Sequence, residues 1–315
     1  RVPRVRSGLV SEMGDHDPLA EARELESLLT TRLETPIDEI VPLEGGMIGT
    51  VARVECVDGT TLVAKTGPTP LETEAFMLEY LAVESELPVP EVHSADDDLL
   101  VLEDLPGTTT HDESVARDAA DHLAALHERH GRGFGFPRDT LTGPVRQPNP
   151  WEDSWPTFFK THRLEHAARL ALSTPSPLDG DTSTPETGSL PHPLFDRVQA
   201  VAADLEHLLE DGTRPALIHG DVWRTNVLSA DGVVTGFLDP ATYYADPEVE
   251  LAYIDWTDTF GEAFFDRYTE HRPLRTGFWS QRRYVYRLYP LLVHVSLFGT
   301  AYLEPLEATL SELGY

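Results

Sequence analysis

Lysine is almost missing from this chain of 315 residues: only Lys65 and Lys160 occur, and arginine carries the remaining basic charge. Cysteine is rarer still. A lone Cys56 excludes an intrachain disulfide and a cysteine-built metal site, which suits a reducing cytoplasm. No apolar run reaches the roughly 18–20 residues that cross a bilayer. The basic opening RVPRVRSGLVSEMGD lacks the apolar stretch of a secretory leader. Met13 is the expected native start, with residues 1–12 an extension of undecided origin and 1–16 flexible. Positive charge is scarce altogether, 24 basic against 54 acidic residues, for a net charge of −30. Such a field repels nucleic acid and anionic membrane, and neither is expected as a partner. The acid is spread through helices and loops, not gathered in a tail. It reads as halophilic adaptation, or alternatively as a merely acidic protein of ordinary salt.

What is present suits a globular protein of one large domain or two modest ones. DPLAEARELESLLTTRL predicts a helix with Asp17 as cap and Pro18 at its first position. IDEIVPLEGGMIGTVARVECVDGTTLVAKTG then predicts two or three antiparallel strands, divided by Gly45-Gly46 and by a hairpin turn at Asp58-Gly59. PLETEAFMLEYLAVES reads as a helix and DLLVLEDLPG as a strand leading into a linker. From DESVARDAADHLAALHERHG onward the helical period dominates. The segment 173–193 is rich in Pro, Ser, Thr and Gly and reads as a mobile loop. AFFDRYTEH and QRRYVYRLYPLLVHVSLFGTAYL are the last two helices expected. The fold class is α+β, with a small antiparallel β-sheet lobe carrying one helix (1–102) and a larger, mainly helical lobe (103–315).

Polar groups cluster in one apolar frame, LIHGDVWRTNVL, where His219, Asp221, Arg224 and Asn226 interrupt strand-like flanks. NVLSADGVVTGFLD downstream predicts a hairpin turning at Asp231-Gly232, whose return strand brings Asp239 beside Asn226. A carboxylate and an amide oxygen suit Mg²⁺, which leaves coordination positions for phosphates. Asp221 is then free to accept a proton. A base, two metal-holding groups and a nucleotide make up the machinery of phosphoryl transfer to a hydroxyl. The β-rich lobe offers matching parts. Gly45 and Gly46 read as a phosphate-covering loop or as a plain turn. Lys65 ends the strand TLVAK, with Glu74, or its rival Glu79, on the next helix as an ion-pair partner. VLEDL, with Glu103 and Leu105, fits the inter-lobe connection whose backbone reads an adenine edge. His219 reads as a structural histidine bracing the loop.

HGDVWRTNVL followed by FLDPATYYADPEVELAY resembles the fructosamine kinase family, within the aminoglycoside phosphotransferase-like, protein-kinase-like superfamily. The similarity extends from about Ile37 to Leu303 and includes LAALH, GFGF, QPNPWEDSWPTFFKTHRL and LYPLLVHVSLFG. The resemblance implies a bilobal protein-kinase-like fold and ATP-dependent phosphorylation of a sugar hydroxyl on a ketoamine, a fructosamine or ribulosamine adduct, free or on a glycated protein. Such a reaction amounts to deglycation. It further implies Asp221 as base, Asn226 and Asp239 as Mg²⁺ ligands, and Lys65, paired with Glu74, on the phosphates. Met47 stands where several relatives carry cysteine, so redox control through that loop is not expected. Pro240 replaces the phenylalanine whose flip switches protein kinases.

Several residues keep two readings. Trp223 stacks on the substrate sugar ring or packs beneath the catalytic loop. QPNPWEDSW walls the acceptor pocket or starts a helix with Asp153 as cap. His294 reads as core. Two other functions compete: a kinase of another small molecule (aminoglycoside, choline-like, homoserine or sugar), and a nucleotide-binding pseudokinase scaffold, against which the complete set of Lys65, Asp221, Asn226 and Asp239 stands. Acceptor identity and oligomeric state are not encoded legibly.

Overall fold

Alternation along one short strand organises the sheet half of the computed structural model, which describes residues 18–33, 35–43, 49–173, 189–209 and 212–315. A helix α1 (Pro18–Arg32) leads into β1 (Ile37–Pro42), β2 (Thr50–Cys56), β3 (Thr61–Thr66), α2 (Leu71–Glu84), β4 (Val92–Ala95) and β5 (Leu100–Glu103). The five strands form one antiparallel sheet in the order β1-β2-β3-β5-β4. Leu62 and Ala64 of β3 point to one face, where they meet Val101 and, from α1, Leu25 and Leu29. Period two therefore turns Val63 and Lys65 to the other face, which α2 covers with Leu71, Ala75 and Leu78. The sheet thus carries a helix on each face, α2 being the one inserted among its strands. Gly59, at φ +86°, turns the expected β2–β3 hairpin. The expected cap Asp17, the glycines Gly45 and Gly46, residues 1–16 and most of the 173–193 loop lie outside the described residues.

The rest of the chain is mainly helical. In order come α3 (Glu113–Leu126), β6 (Thr140–Thr142), β7 (Val145–Gln147), α4 (Trp155–Phe159), α5 (Glu165–Ser173), α6 (His192–Ala203) and α7 (Leu205–Leu208). There follow β8 (Ala216–Ile218), β9 (Val227–Ala230), β10 (Val233–Phe237), β11 (Tyr243–Ala245), α8 (Glu248–Thr257), α9 (Glu262–His271), α10 (Arg283–Phe298) and α11 (Leu303–Glu312). α10 packs on α5, α8 and α11, while α3 packs on α9. No described helix is long and apolar enough to cross a membrane.

Four expectations need correction. Ser173 closes α5 and His192 opens α6, so the ends of the expected loop are helical. Ser154, not Asp153, caps α4, its hydroxyl accepting from the Thr157 amide at 3.5 Å. The expected run from Gln281 to Leu303 is not one helix: Gly299 takes φ +69°, a 3-10 turn follows, and α11 starts anew. β4, β6, β7, β11 and α8 also join the expected elements.

A buried ionic cluster ties the helical part together. Arg282, 4% exposed, donates to both Glu248 oxygens at 2.6 and 3.0 Å, and Arg275 reaches Glu248 at 3.1 Å and also Asp246. Tyr286 donates to Asp246 at 2.9 Å and accepts from the Trp155 indole at 3.0 Å. Two cations and two anions balance, and the geometry is bidentate. Removing one member leaves a buried charge without its partner. Glu248→Ala is expected to cost about 3–5 kcal/mol of unfolding free energy in urea denaturation. An unchanged midpoint would show the cluster to be dispensable.

Candidate active site

Lys65 sits at the centre of a contact that joins three elements. From β3 its ammonium donates to Glu74 of α2 at 2.7 Å and also to Asp239, which follows β10. Burial alone would lower the lysine pKa, but the two carboxylates, Asp239 foremost, more than offset it and hold the group charged. Asp239 in turn is held below the usual carboxylate range: its own burial opposes ionisation, and Lys65 overrides it. Glu79, the rival partner, is exposed.

Asp221 and Asn226 are set by the loop that leaves β8. Gly220 takes φ +91°, and a Cβ there would stand 2.2 Å from the Ala241 carbonyl oxygen, so only glycine fits. His219 is buried, and burial lowers its pKa, keeping the ring neutral. Its Nδ1 accepts the Asp221 amide at 3.3 Å, which is the bracing role expected of it. Asn226 ends a 3-10 turn and spends its amide nitrogen on Asp221, bonding the carbonyl at 3.0 Å and the carboxylate at 3.1 Å. The β9–β10 hairpin turns at Asp231 (φ +51°) and Gly232 (φ +81°) as the sequence predicts. A bond from the Leu238 amide to the Asn226 carbonyl, 2.8 Å, then brings Asp239 alongside. Asp239 holds φ +53°, a conformation that costs a non-glycine residue about 1–3 kcal/mol and is found where structure around it enforces it. Its side chain is 50% exposed.

The Asp221 carboxyl is pushed up to about 7. Burial is the main cause and the Asp239 charge adds to it, while hydrogen bonds from Tyr253 and Asn226 pull the other way. Two residues of α8 that sequence reasoning missed hold this region. Glu250, buried, accepts the Gly220 amide at 2.6 Å and the His219 amide at 3.4 Å, so it fixes the loop backbone on both sides of the turn. His127, the residue that ends α3, supports it at 2.9 Å and is itself bonded to Tyr268 at 2.7 Å. Tyr253, one turn along the same helix, lies near enough for its hydroxyl to favour the ionised form of the Asp221 carboxyl.

The other candidates are placed as follows. Gly45 and Gly46 lie outside the described residues, but Gly49, at the end of the same loop, has φ +93° and no room for a Cβ against the Thr66 carbonyl. Glu103 spends its amide on the Glu91 carbonyl at 2.9 Å and its carboxylate on the Glu91 amide at 3.2 Å. Leu105 packs against Gly236 of β10, where a Cβ would collide with its methyl. Trp223 is half-buried. QPNPWEDSW acts as a brace. Buried Arg163 donates to Pro148 and Asn149 at 2.8 and 2.6 Å, and Gln147 supports the Ala241 carbonyl at 3.0 Å.

The donor set suits a magnesium ion held partly by phosphates. The Asn226 amide nitrogen is committed to Asp221, its oxygen accepts from the Thr225 hydroxyl at a long 3.5 Å, and half of the Asp239 side chain is exposed. Among the described residues no group of three or more His, Cys, Asp or Glu could hold a metal by itself. One carboxylate and one amide oxygen are a set that would leave coordination positions for phosphates.

A family model described as fructosamine kinase matches residues 22–313. A probable ketoamine kinase of Synechocystis is 36% identical over 250 residues, 76% of this chain and 77% of that protein. The chloroplastic protein-ribulosamine 3-kinase of Arabidopsis thaliana is 29% identical over 312 residues, 95% of this chain and 88% of that one. The crystal structure of a protein designated a fructosamine-3-kinase from Thermobifida fusca superposes with a TM-score of 0.79 at 28% identity, covering 92% of this chain and 98% of that chain. The fold shared with it is the expected bilobal, protein-kinase-like α+β arrangement.

A carboxyl raised in the folded state keeps a proton that the unfolded chain gives up at lower pH. Its contribution to stability is present below the ordinary carboxylate range and is lost as pH rises through about 7. Asp221→Asn removes this burden. The variant is expected to melt above the wild type at pH 8, with the gap narrowing by pH 5, in paired thermal scans. A variant less stable at both pH values would contradict the burial of charge at Asp221.

Proposed function

The chain belongs to the fructosamine kinase family of ATP-dependent phosphotransferases, and from that premise we propose that it transfers the γ-phosphoryl group of ATP to a sugar hydroxyl of a ketoamine. The carrying observation is the placement of four groups together: Lys65 bonded to Asp239, the preceding Leu238 amide bonded to the Asn226 carbonyl, and Asn226 bonded to Asp221. In this reading Asp221 accepts the proton of the acceptor hydroxyl. A pKa near neutrality is the range in which a general base works best. Lys65, kept charged and aimed by Glu74, binds the phosphates, with Gly45 and Gly46 covering them. Asn226 and Asp239 would hold Mg²⁺, which supplies charge neutralisation at the transferring group. The Glu103 amide being used within the sheet, its carbonyl and the Leu105 amide are the backbone groups assigned to adenine. Trp223, half-buried beside Asp221 in the chain, offers a face to the sugar ring.

Ester formation at the 3-hydroxyl would make the adduct labile, which is deglycation. Fructosamine and ribulosamine adducts, free or on a glycated protein, all fit. The names of the relatives, ketoamine kinase and protein-ribulosamine 3-kinase, point the same way. The charge of −30 fits work in a salt-rich cytoplasm, because screening removes the repulsion among surface carboxylates.

The test is ADP release from Mg·ATP with and without a fructosamine or ribulosamine. Release dependent on the acceptor is expected, falling by about a thousandfold in Asp221→Asn while nucleotide binding persists. Full turnover by that variant would remove Asp221 as base. The melting temperature is also expected to climb steadily from low to molar potassium chloride; a flat response would discard the halophilic reading.

A further inference from the structure

We propose that a wall of aromatic rings joining α8 to the end of α10 forms the subsite for the amine-borne substituent of the acceptor. The wall selects ketoamines whose amine carries an apolar or aromatic group. This inference rests on the ketoamine reading above and goes beyond it to acceptor choice.

The wall starts beside the base. Tyr253 lies near enough for its hydroxyl to favour the ionised form of Asp221, and its ring lies 5.9 Å from that of Trp256. Trp256 meets His294 edge-on at 5.3 Å, and His294 lies 4.7 Å from Tyr302 and 5.4 Å from Phe298. All five rings are half-buried, and Trp256 and Tyr302 back onto the main core while keeping exposed area. His294 is bonded through Nδ1 to the Pro290 carbonyl at 2.6 Å, and burial keeps it neutral. The row therefore offers apolar faces and no cationic ring.

Substrate geometry directs the amine toward one of the aromatic groups around Asp221. In a ketoamine the reacting 3-hydroxyl oxygen and the amine nitrogen are separated by three carbons, about 4–5 Å in space by bond lengths alone. With the hydroxyl on Asp221, the nitrogen can reach the neighbourhood of Tyr253, where the row of rings begins. A protonated secondary amine favours aromatic faces, and an apolar substituent gains by leaving water against them. The occupant that fits is thus the amine and its apolar group, with the sugar left to Trp223.

The experiment compares two fructose ketoamines, one of benzylamine and one of methylamine, under saturating Mg·ATP. Wild type is expected to show a KM about tenfold lower for the benzyl adduct, the scale of burying one ring partly. Trp256→Ala and, separately, Tyr302→Ala are expected to abolish that difference, each checked for folding by a thermal melt. Tyr253→Phe, which keeps the ring, retains the preference, and Trp223→Ala raises KM for both adducts alike. Equal KM values in the wild type overturn the subsite whether or not the variants fold. So does a preference that survives loss of Trp256 and Tyr302, or one erased only by Trp223→Ala. Phosphorylation of neither adduct takes away the ketoamine reading and the subsite with it.

Discussion

One ammonium bonded to two carboxylates is the constraint on which this site depends. Lys65 brings together a strand, the helix that follows it and the end of a hairpin far along the chain. Without the cation, Glu74 and Asp239 would face each other as like charges in a half-buried cleft, and the sheet would lose its polar tie to the hairpin. In a chain with 54 acidic residues and two lysines, a lysine at this position is a chemical choice. A guanidinium is wider and could not converge as a point charge on Glu74 and Asp239 from the same strand.

The catalytic loop is held differently, by backbone. Glu250 accepts two consecutive amides, Gly220 allows the turn that no other residue could make, and Asp239 is kept at positive φ. Buried groups that take no part in the chemistry, His127 and Tyr268, complete the hydrogen bonding of Glu250. The strain and the buried charge at Asp221 are tolerated because this frame is rigid. The helix that supplies Glu250 also supplies Tyr253, so α8 both holds the loop that carries Asp221, the proposed base, and begins the row of aromatic rings that continues to Trp256.

Much of this was legible because it follows from short-range rules. Period two puts Lys65 opposite Leu62 and Ala64, hence toward α2. The Asp231-Gly232 turn fixes where Asp239 must return. The parts that were not legible depend on tertiary partners. α8 begins after Pro247 with no side-chain cap and mixes buried acids with apolar residues, so EVELAYIDWT shows no clean amphipathic stripe. Glu250 and Tyr253 were hidden with it, because a buried glutamate is identified by the amides that it accepts. β4 is a strand by virtue of its pairing with β5. The choice of Ser154 over Asp153 as cap turns on a single residue of register.

The most direct test of the central claim is ³¹P NMR of the product formed from Mg·ATP and a fructosamine or ribulosamine. The account predicts a new phosphate monoester whose signal is split by one sugar proton, appearing in step with ADP. ATP consumed to give only inorganic phosphate, or left intact in the presence of every ketoamine tried, would contradict it.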